Sequence, residues 1–121
     1  MRERRLEELE VPERIREALR LLASRLQERL GEFELYLFGS YARGDWVNGL
    51  SDVDVIVVSK SFTGTPFPER SAMVRKLAPP DIPFEILCYT PEELEKLAEQ
   101  SFFKEIRRHW IKLASSEPLK G

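Results

Sequence analysis

Two aspartates separated by a single residue, Asp52 and Asp54, precede an apolar stretch at residues 55–58. On a β-strand, residues two apart point to the same face, so both carboxylates would leave the strand together. A carboxylate in a buried strand costs free energy unless it is paired or binds a cation. Two oxygen ligands on one face suit a hard divalent cation such as magnesium. The pair therefore predicts a metal site, although Asp52 could instead cap the strand entry beside Ser51.

A Gly39-Ser40 turn precedes the aspartates and leads into a predicted short helix. Backbone N–H groups and the helix dipole at such a helix start favour phosphate, and a glycine without Cβ lets the backbone approach closely. Ser40 could donate its hydroxyl to a phosphate oxygen or only cap the helix. Arg43 could contact a triphosphate, or pair with Asp45 or Asp52. A phosphate cradle beside two metal ligands is what nucleotidyl or phosphoryl transfer requires.

The combination of Gly39-Ser40, a spacer and Asp52-Val53-Asp54 resembles the signature of the DNA polymerase beta superfamily. It is most similar to the minimal nucleotidyltransferases, over roughly residues 11–100. The resemblance implies the nucleotidyltransferase fold, an α/β (α+β) domain with a small mixed sheet flanked by helices. It also implies that Gly39, Ser40 and Arg43 bind the nucleotide, and that Asp52 and Asp54 are catalytic metal ligands.

A third acid, Glu85, interrupts an apolar strand predicted at residues 82–89. The resemblance calls for a third carboxylate on a strand beside the Asp-x-Asp strand, and Glu85 is assigned to it. Asp81, at the strand entrance, is the weaker candidate. Many relatives have Asp at this position, so Glu85 is a departure from the usual pattern. The alternative is that Glu85 pairs with an arginine such as Arg43.

The resemblance implies transfer of a nucleoside monophosphate, most readily AMP from ATP, to a hydroxyl acceptor. One or two magnesium ions would be held by Asp52, Asp54 and Glu85. Minimal members are commonly found beside a HEPN-domain toxin, which some adenylylate on a tyrosine, so the expected partner is a HEPN-type protein and the expected role is that of an antitoxin. The alternatives are a nucleotide-binding or partner-neutralising subunit without turnover, and a transferase to a small molecule whose acceptor cleft a homo-oligomer could complete.

The elements that must position these residues follow from the spacing of apolar side chains. Apolar residues at steps of three and four predict an amphipathic helix between Pro12 and Gly31. Strands are predicted at residues 33–38, 52–59 and 82–89, and further helices at 68–78, 91–100 and 102–114. The chain is expected to form one domain, residues 1–121, with flexible ends at 1–8 and 115–121.

The last predicted helix carries three large aromatic residues, Phe102, Phe103 and Trp110. The helix could close the core, or the aromatics could form a surface for a partner. His109 is the only histidine and lies among Arg107, Arg108 and Lys112. A solvated basic face is therefore the preferred interpretation for His109.

Composition limits the remaining possibilities. The chain has 121 residues, of which 42% are hydrophobic and 33% charged, as in a globular domain. The net charge of −2 gives no strong signal for nucleic-acid binding. Cys88 is the only cysteine and is expected to be a reduced core thiol. No apolar run of about eighteen residues suggests a membrane span, and the expected location is the cytoplasm.

Overall fold

The computed structural model describes residues 2–3 and 6–115 of the chain, with side chains for residues 6–113. Residues 1, 4–5 and 116–121, which include most of the predicted flexible tail, lie outside this part. The strands are β1 (Arg2–Glu3), β2 (Glu34–Phe38), β3 (Val53–Val58), β4 (Phe84–Tyr89) and β5 (Ile111–Ser115). The helices are α1 (Glu13–Leu30), α2 (Ser40–Arg43), α3 (Phe67–Leu77), α4 (Pro91–Leu97) and α5 (Ser101–Arg107). Among the described residues, no helix is both long and apolar enough to cross a membrane.

The five strands form one mixed sheet in the order β1-β5-β2-β3-β4. The β2–β3 and β2–β5 pairs are antiparallel, whereas the β3–β4 pair is parallel. Two adjacent parallel strands need a crossover connection, and α3 provides it between β3 and β4. The predicted mixed sheet flanked by helices is therefore confirmed.

One face of the sheet is covered by α1 and α3. The apolar residues of α1 that were predicted from their spacing are buried: Ile15, Leu19, Leu22, Leu26 and Leu30. They pack in one cluster with side chains from alternate strand positions, among them Leu35, Leu37, Val53, Val55 and Val57. The alternation follows from the two-residue period of a strand and leaves the intervening positions for the opposite face.

The opposite face is covered by α5 and the turn after it. A second buried cluster joins Tyr36 and Phe38 of β2 to Phe103 and Trp110. Trp110 stacks on Tyr36 with ring centroids 4.6 Å apart. Offset stacking of this kind adds stabilisation beyond the buried area. Phe103 and Trp110 are thus held inside the chain, so the predicted partner surface loses two of its three aromatic residues.

The predicted helix over residues 102–114 is wrong beyond Arg107. The chain turns there and returns as β5, which pairs antiparallel with β2. Ile106, Trp110 and Leu113 do lie at helical spacing, but Ile111 and Leu113 also alternate with Lys112, which is the period of a strand. Without β5, the edge of β2 would expose unpaired N–H and C=O groups, and pairing with that edge favours the strand.

The described residues at the beginning of the chain form two short elements. Arg2–Glu3 form β1, which pairs in parallel with β5, and a 3₁₀ turn covers Leu6–Glu8. Arg16 of α1 donates hydrogen bonds to the carbonyl oxygens of Leu6, Glu7 and Leu9. This guanidinium therefore attaches the 3₁₀ turn to the first helix.

A buried arginine connects the crossover helix to the elements around it. Arg70 of α3 donates through Nε to the carbonyl oxygen of Thr65 at 2.7 Å and through its Nη atoms to the carboxylate of Glu93 in α4. Glu93 also accepts from the backbone N–H of Thr90, and the Thr90 hydroxyl accepts from the N–H of Glu93, a capping box at the start of α4. The hydrogen bonds from Arg70 lower the pKa of Glu93 to about 2. α3 and α4 are thereby tied together beside β4.

The only cysteine provides a test of this core. Cys88 is fully buried in β4, and burial raises the pKa of its thiol to about 12. Because the thiolate is the reactive form, we expect the native protein to resist a thiol reagent at pH 8. Protein unfolded in urea should react with one equivalent per chain. Rapid labelling of the native protein, measured spectrophotometrically, would contradict this packing.

Candidate active site

The site begins where three strands meet at one end of the sheet. Asp54 on β3 lies opposite Phe38 at the end of β2 and opposite Glu85 on the parallel strand β4. The same register directs the side chains of Asp54 and Glu85 to one face, where the negative charge of Glu85 acts on Asp54. Two residues that are distant in sequence thus become neighbours, as the assignment of Glu85 to a strand beside the Asp-x-Asp strand requires.

The environment of Asp54 is unfavourable for a charged carboxylate. Burial is the largest cause, followed by the negative charge of Glu85 and the hydrogen bond to it, with a smaller contribution from Asp52. Together they raise the pKa of Asp54 to about 7, and only Arg43 acts in the opposite direction. A cation at the pair would relieve the repulsion, which is why clustered acids with shifted pKa values indicate functional sites.

Gly39 makes the turn that packs against Asp54. It has φ 72° and ψ −155°, a conformation that is essentially restricted to glycine. A Cβ atom at this position would overlap with Oδ2 of Asp54 and would lie 3.0 Å from its Cγ and 3.2 Å from its Cβ. The contact includes the Cβ atom of Asp54, so a rotation of the carboxyl group alone would not relieve it. Glycine is therefore required both by the backbone and by the carboxylate.

Ser40 and Arg43 lie on α2, which follows this turn. Gly39 is the N-cap residue of α2 and Ser40 is its first residue, and no side chain caps the helix. The alternative in which Ser40 serves only as a cap is therefore not what the structure shows. Arg43 donates from Nε to Oδ2 of Asp45 at 3.2 Å, so of the three ion pairs predicted for it, with Asp45, Asp52 or Glu85, it makes the one with Asp45. Arg43 remains close enough to stabilise the charged form of Asp54.

A cavity of about 400 Å³ opens in front of these residues. This volume is in the range of small-molecule sites. One wall consists of four of the predicted site residues and the strand end: Phe38, Gly39, Ser40, Arg43 and Asp54. The other two predicted site residues, Asp52 and Glu85, do not line this cavity. The opposite wall comes from α5 and the turn after it: Phe102, Glu105, Ile106 and His109.

Sequence reasoning missed the second wall of the cavity. It placed His109 on a solvated basic face and treated Phe102 as one of three aromatics on a terminal helix. The spacing of Phe102, Glu105, Ile106 and His109 follows the i, i+3, i+4, i+7 pattern of one helix face, which was a usable signal. The pattern does not show that this face borders the cavity, because the orientation of α5 depends on how Phe103 and Trp110 pack on the sheet.

The carboxylates suit a divalent cation by their chemistry. Asp54 and Glu85 offer oxygen ligands whose mutual repulsion a cation would neutralise, and Asp52 is exposed one residue before β3, close enough to act on Asp54. Across residues 6–113, however, no group of three or more His, Cys, Asp or Glu side chains is arranged to hold a metal ion. The three-ligand magnesium site stays a prediction, and the Asp54–Glu85 pair is the part of it that is assembled.

The fold is that of a nucleotidyltransferase domain, and its paired acids lie beside a Gly-Ser turn. The model of the nucleotidyltransferase domain family matches residues 19–114, and the chain belongs to this family. The general activity of the class is nucleotidyl transfer. None of the curated proteins matches the sequence significantly.

Two solved structures share the fold. One, assigned as a nucleotidyltransferase from Sulfolobus solfataricus, is 22% identical with a TM-score of 0.52, and the match covers 72% of this chain and 82% of that one. The other, also assigned as a nucleotidyltransferase, is 26% identical with a TM-score of 0.53, and the match covers 85% of this chain and 100% of that one. Both similarities agree with the family assignment.

The contact between Gly39 and Asp54 can be tested with a matched pair of variants. Gly39→Ala should lower the free energy of unfolding by about 3 kcal/mol, because backbone strain is added to a displaced Asp54. Gly44→Ala is the control, because Gly44 has φ 88° but a Cβ there would meet nothing within 4 Å. It should cost only about 1 kcal/mol. Equal losses in urea unfolding would show that the carboxylate contact contributes nothing.

The raised pKa of Asp54 predicts how stability depends on pH. Between pH 4 and 7 the folded chain holds a proton that the unfolded chain has released, so the free energy of unfolding should fall as pH rises. Asp54→Asn removes this penalty and should be more stable than the wild type at pH 8 by on the order of 1 kcal/mol, a value reduced for partial exposure. The difference should largely vanish near pH 4.

The measurement is urea unfolding at both pH values in the presence of a chelator, so that no cation occupies the carboxylates. Asp81→Asn, at an exposed acid outside the pair, is the control and should show no such pH-dependent difference. An Asp54→Asn variant less stable than the wild type at pH 8 would show that the Asp54 carboxylate is stabilising.

Proposed function

We propose that this chain transfers AMP from ATP to a hydroxyl acceptor in a magnesium-dependent reaction. The observation that carries the proposal is the Asp54–Glu85 pair beside the Gly39-Ser40 turn, where Asp54, Gly39 and Ser40 line a cavity of about 400 Å³. Structural pairing alone does not explain two acids that destabilise one another and a glycine that makes room for one of them. Such strain is retained where function requires it.

Each residue of the site has a separate role in this proposal. Ser40 and the backbone of the Gly39 turn would bind the phosphates of ATP, and Arg43 would add positive charge at the cavity wall. Asp52, Asp54 and Glu85 would hold magnesium, which when bound would offset the charge of the triphosphate and polarise the reacting groups. Membership of the nucleotidyltransferase family supports these roles.

The transfer itself exchanges a phosphoanhydride bond of ATP for a phosphoester bond to the acceptor. The acceptor hydroxyl oxygen forms a bond to the α-phosphorus of ATP, the bond to pyrophosphate breaks, and the hydroxyl proton passes to a carboxylate. We propose that Glu85 is the carboxylate that accepts this proton. Its side chain is exposed beside Asp54, so an acceptor can reach it from solvent.

The proposed acceptor is a tyrosine of a HEPN-type toxin, which would make this chain an antitoxin. This part of the proposal comes from the resemblance of Gly39-Ser40 and Asp52-Val53-Asp54 to the minimal nucleotidyltransferases. A tyrosine hydroxyl on another protein also suits a site whose proposed base is open to solvent rather than enclosed.

The experiment is intact mass spectrometry of the chain and of its neighbouring gene product, incubated with ATP and magnesium. We expect the partner to gain the mass of one AMP with the wild type. The gain should be absent with Asp54→Asn and retained with Asp81→Asn. Transfer by Asp54→Asn at the wild-type rate would refute the catalytic assignment. A stable complex of the two proteins with no mass gain would indicate neutralisation by contact instead.

A further inference from the structure

Phe102 stands out on the far wall of the cavity. Its side chain is 64% exposed, more than any other phenylalanine among the described large apolar residues, yet it borders a site whose other wall carries Ser40, Arg43 and Asp54. Single exposed apolar residues are common and need no explanation by themselves. This one lies beside Ile106 on the α5 face that completes a ligand-sized cavity, and that position calls for a reason.

The ring of Phe102 is supported by Phe103 on the side toward the sheet. It makes an edge-to-face contact with Phe103, with centroids 5.7 Å apart and planes at 83°. Phe103 is 3% exposed and makes a similar contact with Tyr89 of β4 at 5.6 Å. A row of aromatic contacts thus runs from the sheet to Phe102. An aromatic surface that is supported in this way loses little side-chain entropy when a ligand binds.

The two walls have different chemistry. Asp54, Ser40 and Arg43 offer charged and polar groups on the first wall, beside the ring of Phe38. Across the cavity, Phe102 and Ile106 offer apolar surface next to the polar side chains of Glu105 and His109. A nucleoside triphosphate has the same division, because its phosphates are charged and its base presents an apolar π-face. If the phosphates lie at the first wall, as the proposed function requires, the second wall is left for the base.

We propose that Phe102 is the residue on which the base of the nucleoside triphosphate stacks, with Ile106 completing the apolar surface. The inference rests on the proposed function for the position of the phosphates. Every base has a π-face, so stacking alone discriminates weakly between bases. The donor preference should therefore follow stacking strength, with purine triphosphates bound better than pyrimidine triphosphates by a modest factor.

Calorimetric titration with two probes tests the proposal, each in the presence of magnesium. ATP carries both parts of the ligand, whereas inorganic tripolyphosphate carries only the phosphates. Phe102→Ala should raise the Kd for ATP about 5- to 140-fold, the range expected for loss of one base–aromatic stack. Its Kd for tripolyphosphate should stay within about twofold of the wild type. Phe102→Tyr keeps the ring and should retain ATP affinity.

Leu21→Ala is the matched control, because Leu21 is an exposed apolar residue of α1 that does not line the cavity. It should leave both affinities unchanged. An unchanged ATP affinity in Phe102→Ala, or equal weakening of both probes, would overturn the stacking role. A Phe102→Ala variant that binds ATP normally but no longer binds the acceptor would also overturn it, because the wall with Phe102 would then bind the acceptor and not the base.

The outcomes separate this inference from the proposed function. If ATP binds through Phe102 but no AMP is transferred in the mass experiment, the base subsite stands and the transferase proposal fails. If AMP is transferred but ATP affinity does not depend on Phe102, the transferase proposal stands and the base subsite is refuted. A wild type that binds neither ATP nor tripolyphosphate would refute both.

Discussion

The repulsion between Asp54 and Glu85 is the constraint on which the rest of the site depends. Parallel pairing of β3 with β4 places the two residues in register, so the charge of Glu85 adds to the cost of burying Asp54. The turn at Gly39 then packs against Asp54 with no space for a Cβ atom. The chain therefore maintains an unfavourable pair of acids through contacts made elsewhere, as functional sites commonly do.

Those contacts are supplied by the crossover between the two parallel strands. α3 connects β3 to β4, and its buried Arg70 is bound to the carbonyl oxygen of Thr65 and to Glu93 of α4. A buried guanidinium with several acceptors is satisfied only when all these elements are in place, so it favours one arrangement over looser alternatives. The position of β4, and with it of Glu85, is determined by this network together with the apolar core.

α5 serves the fold and the site with different faces. Phe103 faces the sheet, where it is buried in one cluster with Tyr36 and Trp110, and Phe102 and Ile106 face the cavity. The chain can then turn after Arg107 and add β5 to the free edge of β2. The error in the predicted final helix arises here, because Ile106, Trp110 and Leu113 satisfy the helical period as well as Ile111 and Leu113 satisfy the period of a strand.

The sequence by itself determined which residue types stand at the site and much of the local structure around them. Asp54 in an apolar strand, the Gly39-Ser40 turn and the stripe of α1 are local patterns, and a local pattern carries its own physical reason. Only the tertiary structure decided which distant residues meet. The contact between Asp54 and Glu85, the pairing of Arg43 with Asp45 and the wall formed by Phe102 depend on strand order, register and helix packing. Strand order, register and helix packing depend on the burial of the whole core, to which residues from all parts of the chain contribute.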